Sequence, residues 1–403
     1  MKRFILAHTV LLHILDEEKY TFSLALSNAL KQEKNKTINR HDISALVGAS
    51  LRHYYVFKER LNREYGELNN DRLAYGLIAM ANAYFVRMVD SQKVNDEFAR
   101  LGELENLNQF VSSIAVDKLI PEDYVPDSVE FLSLRFNTPM WLVKMWKKHY
   151  GDSLTYRLLK TNSKTPARFY IAHEDYDFSN GFAPTKVEGV YKLVDKQVQI
   201  DKEKLYPTVP GINYALNQVD LDPIRGLAVY SEVSHYLIYQ LATKINKFTK
   251  YDFIAGKPVA YLETKRIIEN AGFANISPFE APVSGLITVM SQPVHTFFVL
   301  PENSHFALLR ERPDFFLRIK QEALDEIIAH QYECLTQASH FVEVGGQLVY
   351  MIDTISNKEG HGIIDKFIKE NNNFSLVDEK QFFPCNSFES TFYYAILKKE
   401  VDG

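Results

Sequence analysis

Gly345 to Ser356 reads GGQLVYMIDTIS. Two glycines open it, an apolar and aromatic run fills Leu348 to Ile352, and Asp353 ends the run. A short continuous apolar run between turn residues and polar ones is the pattern of a strand buried on both faces of a parallel sheet. Upstream, Phe316 to Phe341 keeps helical spacing, and Thr296 to Leu300 (TFFVL) is another apolar strand. Downstream, Gly362 to Asn371 is helical, and Thr391 to Lys398 (TFYYAILK) is a last strand. This alternation predicts a doubly wound α/β sheet over 226–403.

The other end of the chain has a different period. Apolar residues recur at helical spacing in Phe4–Leu15, Tyr20–Leu30, His41–Leu61 and Arg72–Met88, so 1–122 is predicted to be all helical. Asp42 and Asp71 stand just before two of these runs, as N-caps would. The opening MKRFILAHTVLLHIL has the look of a secretory leader, but His8 and His13 interrupt it and Asp16-Glu17-Glu18 end it. It reads as the first helix of the domain. No segment reaches the roughly 18 apolar residues of a membrane span. Pro121 and Pro126 bracket an acidic stretch and mark a boundary. The expected organisation is therefore a multidomain α and α/β chain. Its parts are a helical domain at 1–122, a small α+β linker domain at 123–225, and an α/β domain at 226–403.

Hydrophobic residues make up 46% of 403, enough for sizeable cores. The formal net charge of -5 excludes a wholly basic, RNA-coating protein, so any nucleic-acid contact must be local. One stretch qualifies. Between Arg135 and Arg168 stand Arg135, Lys144, Lys147, Lys148, Arg157, Lys160, Lys164 and Arg168 against the single acid Asp152. A solvated helix face usually mixes both signs, whereas a phosphate backbone attracts such a one-sign stripe. The two cysteines, Cys334 and Cys385, exclude a disulfide framework and a four-ligand zinc site and fit a reducing cytoplasm. No metal is expected. Cys334 falls at an apolar position of the long helix and reads as a packed thiol, and Cys385 sits in a loop.

GGQLVYMIDTIS, with LLRERPD at Leu308–Asp314, resembles the C-terminal signatures "GG-x-LVY-x-TCS" and "RR-x-PD" of the Sun/RsmB family of RNA cytosine-C5 methyltransferases. FNTPMWLVKMWKKHYG (Phe136–Gly151) and LLKTNSKTPARFYI (Leu158–Ile171) resemble that family's "S-x-P-x-WLV-x-x-W-x-x-x-YG" and the "N-x-x-P" turn leading to a strand with a central arginine. DISALVGASLRHYYVFKERL (Asp42–Leu61) is similar to its "D-x-x-x-LV-x-G-x-LR" helix. VYSEVSHYLIYQL (Val229–Leu241) is similar to its "VQD-x-AS" entry helix, with Ser234 matching. The resemblance implies a NusB-like helical domain, an RNA-contacting linker domain and a shortened Rossmann-like methyltransferase domain. It also implies S-adenosylmethionine as cofactor and structured ribosomal RNA as partner, in a cytoplasmic monomer. Arg310, in the "RR-x-PD" match, is a further candidate for a phosphate contact or a structural ion pair.

The chemistry that the resemblance implies is incomplete in this chain. Cytosine C5 becomes nucleophilic only after a thiolate adds at C6. Of the family's two cysteines, one falls on Asp353, and the other on Glu302 or Asn303, depending on whether Pro301 or Arg310 anchors the alignment. No catalytic residue is therefore assigned. Asp353 and Glu302 are expected at strand C-termini, as solvated loop acids. For the cofactor, the one candidate turn is Ala255-Gly256-Lys257 after YDFI, and the candidate ribose acid is Glu263 in PVAYLETKR. Gly256 and Glu263 are seven residues apart, too few for the dozen or so of a parallel crossover. Either the first strand's loop and helix are deleted, or Pro258 starts the helix and the second strand is lost.

Three functions follow as expectations. The first is a catalytically lapsed relative that binds structured RNA. The second is an active S-adenosylmethionine-dependent methyltransferase using chemistry that needs no thiol. The third is a protein-interaction scaffold acting through the helical domain.

Overall fold

The computed structural model describes residues 1–17, 20–32, 39–88, 91–172, 175–221, 225–233, 236–245 and 249–402. The Ser234 match lies outside the described residues. The chain divides into two compact units, Met1–Thr165 with Leu308–Ile319, and Pro166–Ala307 with Lys320–Gly403. The expected boundaries at 122/123 and 225/226 fall inside these units.

The first unit is helical. Lys2–Asp16, Arg40–Arg52, Tyr54–Tyr65, Asn70–Ala81 and Ser91–Leu101 bury Val10, Leu11, Leu46, Phe57, Leu77 and Phe98 in one core. Removing each such side chain from water contributes about 1.5–3 kcal/mol. The expected His41–Leu61 helix is interrupted at His53, and the next one ends in a π-helical turn at Asn82–Val86. The caps also differ from expectation. Asn39 and Asn69 cap, their side chains accepting from His41 N and Arg72 N, each at 2.9 Å. Asp42 lies in the first turn and takes Arg3 Nη1 at 2.7 Å.

Met140–Asn162 is two helices meeting at Gly151, whose φ of 72° and ψ of 174° suit only glycine. Trp146 is fully buried, as a core anchor is, whereas Trp141 is half-buried. Leu308–Ile319 joins this unit through Asp314, which accepts from Phe22 N at 3.2 Å and pairs with Arg318 at 3.1 Å. The expected Phe316–Phe341 helix is accordingly two, Phe315–Arg318 and Gln321–Ser339.

The second unit holds two sheets. The smaller consists of β1 (Phe169–Ala172), β2 (Phe182–Pro184), β3 (Tyr191–Leu193) and β4 (Leu205–Thr208), all antiparallel, in the order β2-β3-β1-β4. Arg168 precedes β1 instead of sitting at its centre. The larger sheet comprises β5 (Leu227–Ser231), β6 (Tyr251–Ala255), β7 (Ile276–Glu280), β8 (Val294–Leu300), β9 (Val342–Ile352), β10 (Phe374–Phe382) and β11 (Phe392–Lys399). Its order is β10-β11-β9-β8-β5-β6-β7. The five strands from β5 to β9 pair in parallel, and β11 and β10 close the edge antiparallel.

This topology corrects the expectation of a shortened domain: the sheet has seven strands. YDFI belongs to β6, the second strand, and not to the first. The first is β5, in a stretch predicted to be helical; its five residues are all buried, a run that periodicity cannot tell from a buried helix. Tyr236–Lys244 then provides the crossover helix to β6. Pro258 does start a helix, Pro258–Ala271, while a second strand is present all the same.

Candidate functional site

Chain order reverses between β5 and β8, and the C-terminal ends of strands at such a switch point are where open α/β sheets bind ligands. Here that position is occupied by side chains of the chain itself. Tyr230, fully buried at the end of β5, donates from its hydroxyl to Glu232 Oε1 at 2.8 Å. Glu232 is buried in the turn after β5, and its Oε2 accepts the Glu302 N–H at 2.8 Å. His330 Nε2, from the Gln321–Ser339 helix, lies 2.9 Å from both carboxylate oxygens. Burial alone would raise the Glu232 pKa, but the bonds from Glu302 N–H, His330 and Tyr230 outweigh it and hold the carboxyl below its ordinary value. Burial drives the Tyr230 hydroxyl and the nearby Cys334 thiol the other way, well above their usual ranges.

Gly256 follows β6 and lies against this cluster. A Cβ there would stand 2.6 Å from Glu232 Cγ and closer still to the Tyr230 hydroxyl. Lys257 pairs with Glu302. Glu263 is half-buried within the Pro258–Ala271 helix and not on a strand. The resemblance implies S-adenosylmethionine, but these residues do not fit it. A glycine-rich turn after the first strand and an acid at the end of the second are what hold such a nucleoside. The described turn after β5 is Ser231-Glu232-Val233, its acid already bonded inward, and β6 ends in Ala255-Gly256-Lys257, which brings a cation instead.

The positions of the two family cysteines come together beyond the ends of β8 and β9. Asn303 and Asp353 line a cavity of about 10 Å³ with Val233, Leu300, Ile352 and Phe392. That is room for about one water. Glu302 is not among the lining residues. Asp353 is half-buried and so only in part the expected solvated acid. Its Oδ1 is shut off from solvent without a hydrogen-bond partner, and burial pushes its pKa up to about 7. Beside it, fully buried Glu359 accepts from Ser304 N at 2.8 Å, Ser304 Oγ at 2.6 Å, Thr354 Oγ1 at 2.8 Å and Gln331 Nε2 at 3.1 Å. Ser304, Gln331 and Glu359 thus form a hydrogen-bonded polar group that ties together the loops after β8 and β9, with Gln331 Oε1 left without a partner.

Most of the basic residues are on the surface. Arg135, Lys144, Lys148, Arg157, Lys160 and Lys164 are exposed in the first unit, and Arg168 is exposed in the second. Lys147 is half-buried and pairs with Asp152 at 3.0 Å. Arg135, Lys147 and Arg157 line a cleft of about 660 Å³ with Tyr156. Arg310 bonds the chain's own backbone, donating to Thr165 O at 3.0 Å and Lys164 O at 3.3 Å. His330 and Cys334, one helical turn apart in HQYEC, meet Glu232 in a group that sequence reasoning missed. Their i, i+4 spacing was the available signal; the third member comes from a distant turn.

No family model matches the chain. In sequence it is 22% identical over 262 residues to the ribosomal RNA small subunit methyltransferase B of Thermus thermophilus, a match that covers 62% of this chain and 60% of that protein's length. In structure it resembles PH0851, with a TM-score of 0.72, 15% identity and 99% of each chain covered. It also resembles NSun6 from Pyrococcus horikoshii, solved with SFG, with a TM-score of 0.58 and 10% identity over 66% of this chain and 99% of that one. The sequence motifs and this match agree: the chain is similar to the Sun/RsmB-type ribosomal RNA methyltransferases, and its larger sheet is Rossmann-like.

Proposed function

We propose that this chain is an RNA-binding relative of the ribosomal RNA methyltransferases in which methyl transfer to cytosine C5 has lapsed. The observation that carries the reading is the inward-bonded Glu232 carboxylate, which with Tyr230 fills the strand ends where a cofactor would lie. Asp353 and Asn303 around a one-water cavity support it, since neither supplies a thiolate and a cytosine ring has no room there. The exposed cations from Arg135 to Arg168 support retained contact with an RNA backbone. Structured ribosomal RNA is the partner that the likeness to the Thermus methyltransferase suggests.

Isothermal titration of the full chain with S-adenosylmethionine tests the reading. No saturable heat is expected at micromolar cofactor. Micromolar binding would overturn the lapse, and methyl transfer from labelled cofactor to ribosomal RNA would establish an active enzyme instead.

A further inference from the structure

The buried group at the end of β5 has a composition that a plugged cofactor site does not require. Filling space calls for apolar side chains, whereas Glu232, His330 and Cys334 bring a carboxylate, an imidazole and a thiol together. One oxygen, nitrogen or sulfur atom from each lies within 4.8 Å of the others. We propose that Glu232, His330 and Cys334 form a binding site for a divalent cation of the zinc class.

The chemistry of the donor set selects the class. Thiolate and imidazole favour borderline-soft ions over magnesium or calcium, which take oxygen ligands. The geometry agrees. Tetrahedral zinc, with Zn–S of about 2.3 Å and Zn–N of about 2.0 Å, places sulfur and nitrogen roughly 3.5 Å apart. Cys334 Sγ and His330 Nε2 are 3.5 Å apart. The 2.9 Å between His330 Nε2 and Glu232 must widen by about 0.4 Å as the ion replaces that hydrogen bond.

The surroundings are those of a metal site as well. The other ring nitrogen, His330 Nδ1, stands 3.6 Å from the Glu333 carboxylate, the usual outer partner of a ligating histidine. Glu232 Oε2 keeps the Glu302 N–H, which fixes the carboxylate. Cys334 is fully buried, while the His330 side chain is 37% exposed, which gives the ion a way in and leaves a fourth position for water. Binding releases the Cys334 thiol proton to solvent.

The test uses the full chain, stripped with chelator and titrated with zinc chloride against a chromophoric indicator, then with cobalt chloride. The expected result is about one zinc per chain, and for cobalt a thiolate charge-transfer band in the near ultraviolet. Cys334→Ser should abolish that band, and His330→Gln should weaken zinc binding at least about tenfold. His330 is half-exposed, so its variant is expected to fold, and circular dichroism checks this. Failure to bind zinc at micromolar concentration overturns the site. So does a cobalt complex without the thiolate band, or zinc binding that survives in folded His330→Gln. S-adenosylmethionine binding is read separately, so either proposal can fail alone.

Discussion

The Tyr230 hydroxyl donates to Glu232 Oε1 at 2.8 Å, and the two side chains leave no room for a Cβ at Gly256. The Gly256 N–H in turn bonds Ser231 O at 2.9 Å, so the backbone after β6 is held against the end of β5. Glycine is needed here for the close approach, since its φ is not in the left-handed region. Gly256→Ala is expected to destabilise the fold by about 1–3 kcal/mol, the usual cost of overpacking a filled interior. Thermal denaturation checks this. An unchanged melting temperature would mean that the cluster yields easily and that a ligand could displace it.

Asp353 makes stability depend on pH in a particular direction. Its carboxyl is raised from 3.8 to about 7 in the folded chain by burial. Between those values the folded state holds a proton that the unfolded state has released, so stability falls as pH rises, by at most about 1.4 kcal/mol per unit. The contribution is complete below the unfolded pKa and gone above the folded one. Asp353→Asn has no such slope and should gain on the parent chain between pH 5 and pH 8. Urea denaturation at both values measures it; an equal difference between variant and parent at the two would refute the buried-acid reading.

What could be read from the sequence divides along physical lines. The β9 strand was legible because Leu348–Ile352 is an unbroken apolar run, and the helices of the first unit because their spacing is regular. The β5 strand was not, because its five residues are all buried, and so short a buried run carries no period that separates strand from helix. Missing it moved the cofactor turn one strand along, to Gly256, and made a seven-stranded sheet look shortened. The cluster of Glu232 with His330 and Cys334 was out of reach for a different reason. Ninety-eight residues separate Glu232 from His330, and only the sheet order brings them together.

Restoring one thiol should not restore the reaction. Asp353→Cys puts a cysteine at the family position, but in a cavity of about 10 Å³ and beside a strand end filled by Tyr230 and Glu232. A nucleophile accelerates nothing without the substrate aligned against it. The expected outcome is no 5-methylcytosine in ribosomal RNA incubated with the variant and labelled S-adenosylmethionine. Appearance of the methylated base would show that the site opens, and that only the missing sulfur separates this chain from an active enzyme.

The basic run gives the prediction that separates an RNA role from a scaffold role. Arg135 and Arg157 stand on one cleft, and Arg135 lies over Phe131 and Phe136 at 5.8 Å and 5.6 Å, which fixes the direction of its guanidinium. Lys144 and Lys148 are exposed on the Met140–Asn162 segment. If they neutralise phosphates, removing one such cation lowers the salt dependence of log K by roughly 0.7–0.9. The double reversals Arg135→Glu with Arg157→Glu, and Lys144→Glu with Lys148→Glu, should each weaken binding of ribosomal RNA fragments by about tenfold or more and flatten the salt slope. Lys147→Glu is a poorer probe, because its pairing with Asp152 makes loss of folding a competing cause. Filter binding across a salt series, with circular dichroism on each variant, reads both quantities. Folded variants with unchanged affinity and slope would remove the RNA role and leave the helical unit as a protein-binding scaffold.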